Sequence, residues 1–462
     1  LLNALSLRIS KMLRWMLGVV LFVFVLIARV NAQDPTPAGV TPVVDRNPSS
    51  TDQKRSIALK DTFKDAFRIG VAVNRSATMG TPFRRSAEEV AKDVALVKQH
   101  FNHVVAENDM KWQLIHPRAG ADGYDFGPAD ALVEFAKTNE MELAGHTLVW
   151  HSQTPNWVFE GTHPAKQEPL EFSGPFSKLA INPPMPPRSN PNGPAGQTRG
   201  PGAGGPSSAG RVPGSFRGFD LSGPQASREE LLERMREHIH TIVGRYKGKV
   251  KVWDVVNEAL SDNGPEVLRR SPWSVIIGPD FIAKAFEYAH EADPDAILRY
   301  NDYGLENPVK RSKLMSLIQT LKENNVPVHA IGTQAHCNVS TTFEAMDAAI
   351  TEMKSFGLPI HVTELDVNSA SAGQRGTGAD ISANTSATQG GLVEDAETRL
   401  AKAYEGIFRA FVKHKDAIDV VTFWGVNDAV SWRAQGRPLL FDRDNVPKAA
   451  FDAVTLQGAV AK

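Results

Sequence analysis

The chain has 462 residues, 42% of them hydrophobic, and its 51 Lys and Arg nearly cancel 52 Asp and Glu to leave a formal net charge of −1. This excludes the basic footprint of a nucleic-acid or acidic-membrane partner, suits a neutral polymer, and provides apolar material for a large core. A single cysteine, Cys337, excludes an internal disulfide, so stability must come from packing.

In chain order, Arg8, Lys11 and Arg14 precede an apolar run from Met16 to Ala28, and Val30-Asn31-Ala32 offers small-residue cleavage chemistry. The run falls short of the roughly 20 residues a spanning helix needs. It therefore predicts a signal peptide over 1–32, a secreted or periplasmic product, and no membrane association in the mature form. Residues 33–56, rich in Pro, Thr, Ser and Asp, read as a linker, and a folded domain over 57–462 follows. Within that domain, 161–226 is so rich in Gly and Pro that it reads as a disordered insertion in a surface loop. A smaller loop insertion, rich in Ser, Ala, Gly and Thr, covers about 369–391.

With these set aside, short apolar runs recur at 67–73, 103–105, 142–147, 250–256, 296–300, 330–334, 360–363 and 420–424. Helical patterns lie between them, at 86–99, 128–139, 280–292, 308–325, 341–356 and 396–413. Ser227-Arg-Glu-Glu230 is a capping box that opens another helix, with Leu231, Leu232, Met235, Ile239, Ile242 and Val243 on one face. On that helix, His238 and His240 read as surface or interface positions. Eight strands alternating with helices predict an α/β fold, the (β/α)8 TIM barrel. An open doubly wound sheet would carry a glycine-rich phosphate turn after its first strand, and none is present.

Reactive residues in such a barrel sit at the C-terminal ends of the strands. Two apolar runs end there on a glutamate, Lys251-Val-Trp-Asp-Val-Val-Asn-Glu258 and Pro359-Ile-His-Val-Thr-Glu364. A buried carboxylate is costly, and a facing pair is the minimal equipment for cleaving a glycosidic bond. Breaking an acetal needs one carboxyl to protonate the leaving oxygen and a second to attack or stabilise the cationic carbon. Each glutamate supplies a field that shifts the other, so identical residues can take different roles. Other strand ends carry Trp residues to stack on sugar faces and Asn, Gln, His and Lys to bind hydroxyls. No pair of histidines alternates on the first strand, and His146 and His151 share no helix face, so neither metal nor cofactor is expected.

These segments resemble glycoside hydrolase family ten, the endo-1,4-β-xylanases, over roughly 57–456. The matching stretches are Glu107-Asn108-Asp109-Met110-Lys111-Trp112, Gly145-His146-Thr147-Leu148-Val149-Trp150-His151-Ser152-Gln153, Trp253-Asp254-Val255-Val256-Asn257-Glu258-Ala259, Thr363-Glu364-Leu365-Asp366-Val367 and Trp424-Gly425-Val426. The resemblance implies retaining double displacement on xylan, with Glu258 as acid/base, Glu364 as nucleophile and carboxyls about 5–5.5 Å apart. It implies that Asn257 binds the sugar 2-hydroxyl and that His336 orients the nucleophile, with Gln334 on the same strand end. Glu107, Asn108 and Lys111 become glycone-side contacts. His146, Trp150, Trp424 and Trp432 surround the cleaved sugar, and Gln153 and Tyr303 also contact substrate. A monomer is expected. Two rival readings are a β-1,4-glucanase or aryl β-glycosidase of the same fold, and a non-catalytic polysaccharide-binding relative.

Overall fold

Eight parallel strands close on themselves. The computed structural model describes residues 58–82, 85–164, 174–179, 223–262, 264–370 and 395–460, all within the unit Thr51–Lys462. The expected signal and linker lie outside the described residues, as do most of the two insertions. The barrel strands are β1 (Arg68–Val73), β2 (His103–Ala106), β3 (Glu142–Gly145), β4 (Val252–Asn257), β5 (Ile297–Asp302), β6 (Ala330–Thr333), β7 (Ile360–Asn368) and β8 (Ile418–Phe423). Each pairs in parallel with the next, and β8 closes the ring on β1 through Arg68↔Val420 to Val71↔Phe423.

A helix follows each strand: α1 (Ala87–His100), α2 (Gly127–Thr138), α3 (Arg228–Arg245), α4 (Phe281–Ala292), α5 (Pro308–Glu323), α6 (Phe343–Lys354), α7 (Ala396–Lys413) and α8 (Ala449–Val460). Local chemistry fixes their starts. Ser86 with Glu89, and Ser227 with Glu230, form reciprocal capping boxes at α1 and α3. Proline in the first turn opens α2 and α5. The sequence reading missed α8, whose apolar residues are spread round the helix and leave no clean stripe.

Outward-facing strand residues such as Trp253, Tyr300 and Phe423 pack under the helices in one continuous core with Phe408 and Phe411. The lumen is partly polar. Arg299 makes a bidentate pair with Asp254, at 2.5 and 3.0 Å, and reaches the Nδ1 of His361 at 3.0 Å. Two glycines make room for side chains crossing it. A Cβ at Gly70 would sit 2.5 Å from Thr422 Oγ1, and one at Gly332 would sit 2.5 Å from Asn301 Oδ1.

Beneath the loop after β2, aromatic rings form a column. Trp112 stacks on His238 at 3.6 Å, His238 lies parallel to His116 at 5.8 Å, His116 stacks on Tyr124 at 3.6 Å, and Tyr124 lies over Phe126 at 5.1 Å. His238 is therefore no surface residue. It is buried, because the segment after β2 packs on a face of α3 that hydrophobic periodicity alone leaves unassigned. His240 does stand at the surface, beside Glu291 at 3.1 Å.

Order extends into the margins of the glycine-proline stretch. Glu160–His163 forms a short strand that bridges to Gln225, and Leu179, Gln225 and Ala226 are buried. The residues between, 165–173 and 180–222, lie outside the described set. Among the described residues no helix is long and apolar enough to cross a membrane.

Candidate active site

Strand β4 delivers Glu258 at the barrel mouth. Its backbone turns left-handed there, with φ +57°, a conformation that costs a non-glycine residue about 1–3 kcal/mol and that clusters at functional sites. Its carboxyl receives the Trp150 indole N–H at 2.9 Å and the Gln334 amide at 3.0 Å. Trp150 lies on a two-residue strand, Val149–Trp150, that pairs with the end of β4. Burial holds the Glu258 carboxyl above the ordinary range. The Gln334 bond and Arg269 oppose this, while the charges of Asp302 and Glu364 add to it.

Strand β7 delivers Glu364, also buried, among different neighbours. Asn301 donates to one oxygen at 2.8 Å, and His336 Nε2 lies 3.2 Å from the other. His336 belongs to a three-residue strand, His336–Asn338, that pairs with the outer half of β7. Its Nδ1 faces the fully buried Asp366 at 3.1 Å. Burial disfavours the imidazolium, but Asp366 and Glu364 outweigh it and lift His336 to about 9. Burial likewise pushes Glu364 up, yet the bond from His336 and the His146 and His336 charges win, so Glu364 ends below its ordinary value. Arg433 at 2.8 Å and the Trp432 indole at 2.6 Å complete the shell of Asp366.

Three amides join the two walls. The Oδ1 of Asn257 accepts from Gln334 at 3.2 Å and from Asn301 at 2.9 Å. Those donors are the same groups that hold Glu258 and Glu364. Thr363 fixes the Asn301 amide by donating to its Oδ1 at 2.7 Å. Both carboxyls thus belong to one polar layer. Among the described residues the Nδ2 of Asn257 has no protein partner, which leaves it for a ligand hydroxyl.

The remaining predicted residues divide. Lys111 lies 5.0 Å from the Trp150 ring centre and 6.0 Å from that of Trp424, and it donates to Asn108 at 3.0 Å. Burial lowers its ammonium pKa, with Glu364, Glu107 and Glu258 pulling the other way. Glu107 therefore stands in the same field. The Nδ1 of His146 pairs with Asp254 at 2.9 Å, and its ring meets Trp424 edge-on at 5.2 Å. Trp432 packs on His336 at 4.8 Å.

Tyr303 is tied down instead of free. Its hydroxyl bonds Asp262 at 2.6 Å and accepts from Arg269 at 2.7 Å, and Lys310 sits 3.1 Å from its ring centre. Arg269 also binds the Glu258 carbonyl at 3.1 Å, which links this cluster to the Glu258 wall. Gln153 makes no side-chain bond to the site among the described residues. Its carbonyl accepts from the Gln113 N–H at 2.9 Å.

The sequence reading assigned no role to Asn301, Asp366, Arg299 or Arg433. The Asn-Asp-Tyr end of β5 was the available signal for Asn301. Among the described residues no group of three His, Cys, Asp or Glu side chains is placed to hold a metal.

The family model described as glycosyl hydrolase family 10 matches residues 58–173 and 215–457. The chain belongs to glycosyl hydrolase family 10. The family 10 match is interrupted over 174–214, inside the glycine-proline stretch. A β-1,4-xylanase of Dictyoglomus thermophilum is 36% identical over 402 residues, covering 85% of this chain and 89% of that protein. Endo-1,4-β-xylanase A of Caldicellulosiruptor sp. (strain Rt8B.4) is 36% identical over 85% of this chain, which spans 46% of that longer protein. Among solved structures, a family 10 endoxylanase retrieved from a sugarcane soil metagenome matches with TM-score 0.66 and 33% identity, covering 88% of this chain and 99% of its own.

Proposed function

We infer that the protein is a retaining endo-1,4-β-xylanase in which Glu364 is the nucleophile and Glu258 the acid/base. One observation supports the assignment: of two buried glutamates in a single hydrogen-bonded layer, Glu258 meets the neutral Trp150 and Gln334 donors while Glu364 meets the His336 imidazole, which drives their pKa values in opposite directions. The one pushed toward ionisation is equipped to attack, and the one pushed toward its protonated form is equipped to give a proton.

In the first step Glu364 attacks the anomeric carbon while Glu258 protonates the departing glycosidic oxygen. A covalent glycosyl ester forms and the aglycone leaves. Once Glu364 is esterified its negative charge is gone, the Glu258 pKa falls, and the same carboxylate takes a proton from water. That water attacks the anomeric carbon, Glu364 leaves as its carboxylate, and the second inversion restores the original configuration. Asn257 offers its Nδ2 to a sugar hydroxyl beside Glu364, while Trp150 and Trp424 flank the sugar over Lys111.

Trp432 and Trp424 gather round His336, at 4.8 and 6.4 Å between ring centres, and this supports xylose if that wall is where a glucose hydroxymethyl would have to fit. The N-terminal pattern supports a secreted or periplasmic product, and the proposed working form on xylan is a monomer. Reducing sugar released from xylan, compared with carboxymethyl-cellulose, tests the reading. Strong release from xylan with little from the cellulose derivative is expected, and the reverse would make the enzyme a glucanase.

A further inference from the structure

Glu258 departs from ordinary strand backbone, and something must hold it there. The two N–H groups that follow it, those of Ala259 and Leu260, both point at the phenolic oxygen of Tyr300, at 2.9 and 3.1 Å. The same phenol donates its proton to Asp302 at 2.5 Å, and Asp302 takes a second bond from Leu260 at 3.2 Å. Tyr300 thereby spends both acceptor positions on the turn after Glu258 and its donor on Asp302, which holds the same turn through Leu260. Both residues are fully buried. Tyr300 sits on the outward face of β5 among apolar side chains, where a phenylalanine would fill the space equally well. Its hydroxyl is superfluous for packing, and an Asp in that setting is expensive unless it is used. Lys310 at 2.9 Å and the Tyr303 N–H at 2.9 Å fix the other oxygen of Asp302.

Resting on the assignment of Glu258 as acid/base, we propose that Tyr300 and Asp302 are positioning residues that clamp the left-handed turn at Glu258 and keep its carboxyl aimed at the leaving oxygen. Burial and Asp302 hold the phenol protonated well into alkali, so it remains a donor throughout the working range. Asp302 acts on Glu258 a second way, because its charge opposes ionisation of that carboxyl. The other charged or titratable groups facing Glu258 are Arg269 from the loop after β4, Glu364 from β7, Lys111 from the loop after β2, and the Tyr303 phenol.

The test exploits leaving groups. A xylan bond needs proton donation, whereas a 2,4-dinitrophenyl β-xylobioside does not. The kcat/KM of each reports the first step alone. Tyr300→Phe should lower kcat/KM on xylan about tenfold or more, yet leave it within about threefold on the dinitrophenyl substrate. Asp302→Asn should in addition move the alkaline limb of the xylan pH profile downward. Equal losses on both substrates with an unmoved limb, or no loss in Tyr300→Phe, overturns the clamp. Should Asp302→Asn fail to fold, Tyr300→Phe decides alone, since it removes a single oxygen. Glu258→Gln run alongside separates the two ideas: full xylan turnover in that variant overturns the acid/base assignment itself, whatever Tyr300 does.

Discussion

The two walls of the cleft present the same side chain in opposite settings. Around Glu258 the direct partners are neutral donors, the Trp150 indole and the Gln334 amide, so burial dominates and its pKa is pushed up. Around Glu364 a histidine held cationic by Asp366 touches the carboxylate, and ionisation wins. A family of two glutamates is thus differentiated by what each touches and not by depth, since both are almost fully buried. The proposed division of roles rests on those partners.

The largest expected break in this contrast is Glu364→Gln, which removes the proposed nucleophile and should reduce kcat on xylan by more than about 10⁴-fold. Steady-state assay and the absence of a trapped glycosyl-enzyme in mass spectra check it. Glu258→Gln comes next, with a loss of about 10²–10⁴-fold on xylan and a much smaller one in kcat/KM for an activated aryl glycoside. Azide should restore turnover to Glu258→Ala on the aryl substrate; rescue confined to Glu364→Ala would reverse the roles.

His336→Asn sharpens the comparison instead of destroying it. Without the imidazolium the Glu364 pKa rises, so the acid limb of kcat/KM should move to higher pH, with about a 10–100-fold loss near neutrality. Stability follows the opposite limb. His336 is raised to about 9 in the fold against about 6.5 unfolded. Its contribution is therefore complete below about 6.5 and lost as pH rises through about 9. Melting curves of the wild type and His336→Asn should accordingly differ at pH 6 and approach each other at pH 9.5.

The sequence made the barrel and the glutamate pair legible for one physical reason. Parallel strands buried on both faces read as unbroken apolar runs, and a carboxylate closing such a run is conspicuous. Asn301 was less accessible. Its link to Asn257 depends on the register of β4 against β5, which slips between Asp254 and Val256. Asp366 and Arg433 form a pair only after the chain between β7 and the loop following β8 has folded back. Gly70 and Gly332 look like ordinary strand glycines until the side chains crossing the lumen are in place. His238 shows the converse limit: helical periodicity describes the face turned to the barrel and says nothing of a second layer, here the Trp112–Phe126 segment.

That ring column bears on how the enzyme tolerates acid. Burial keeps His238 well below its ordinary value, and His116 is lowered for the same reason despite its bond to the Gly120 carbonyl. Two stacked neutral imidazoles stabilise the fold fully above about pH 6.5, and that support declines as falling pH titrates them. The column carries Trp112, the residue next to Lys111, so acid reaches this end of the barrel by two routes, through the stacked imidazoles and through the Glu364 carboxylate. A ring at position 238 that keeps the stack without a titratable nitrogen, as in His238→Phe, should therefore extend stability toward acid while leaving the acid limb of kcat/KM where Glu364 sets it.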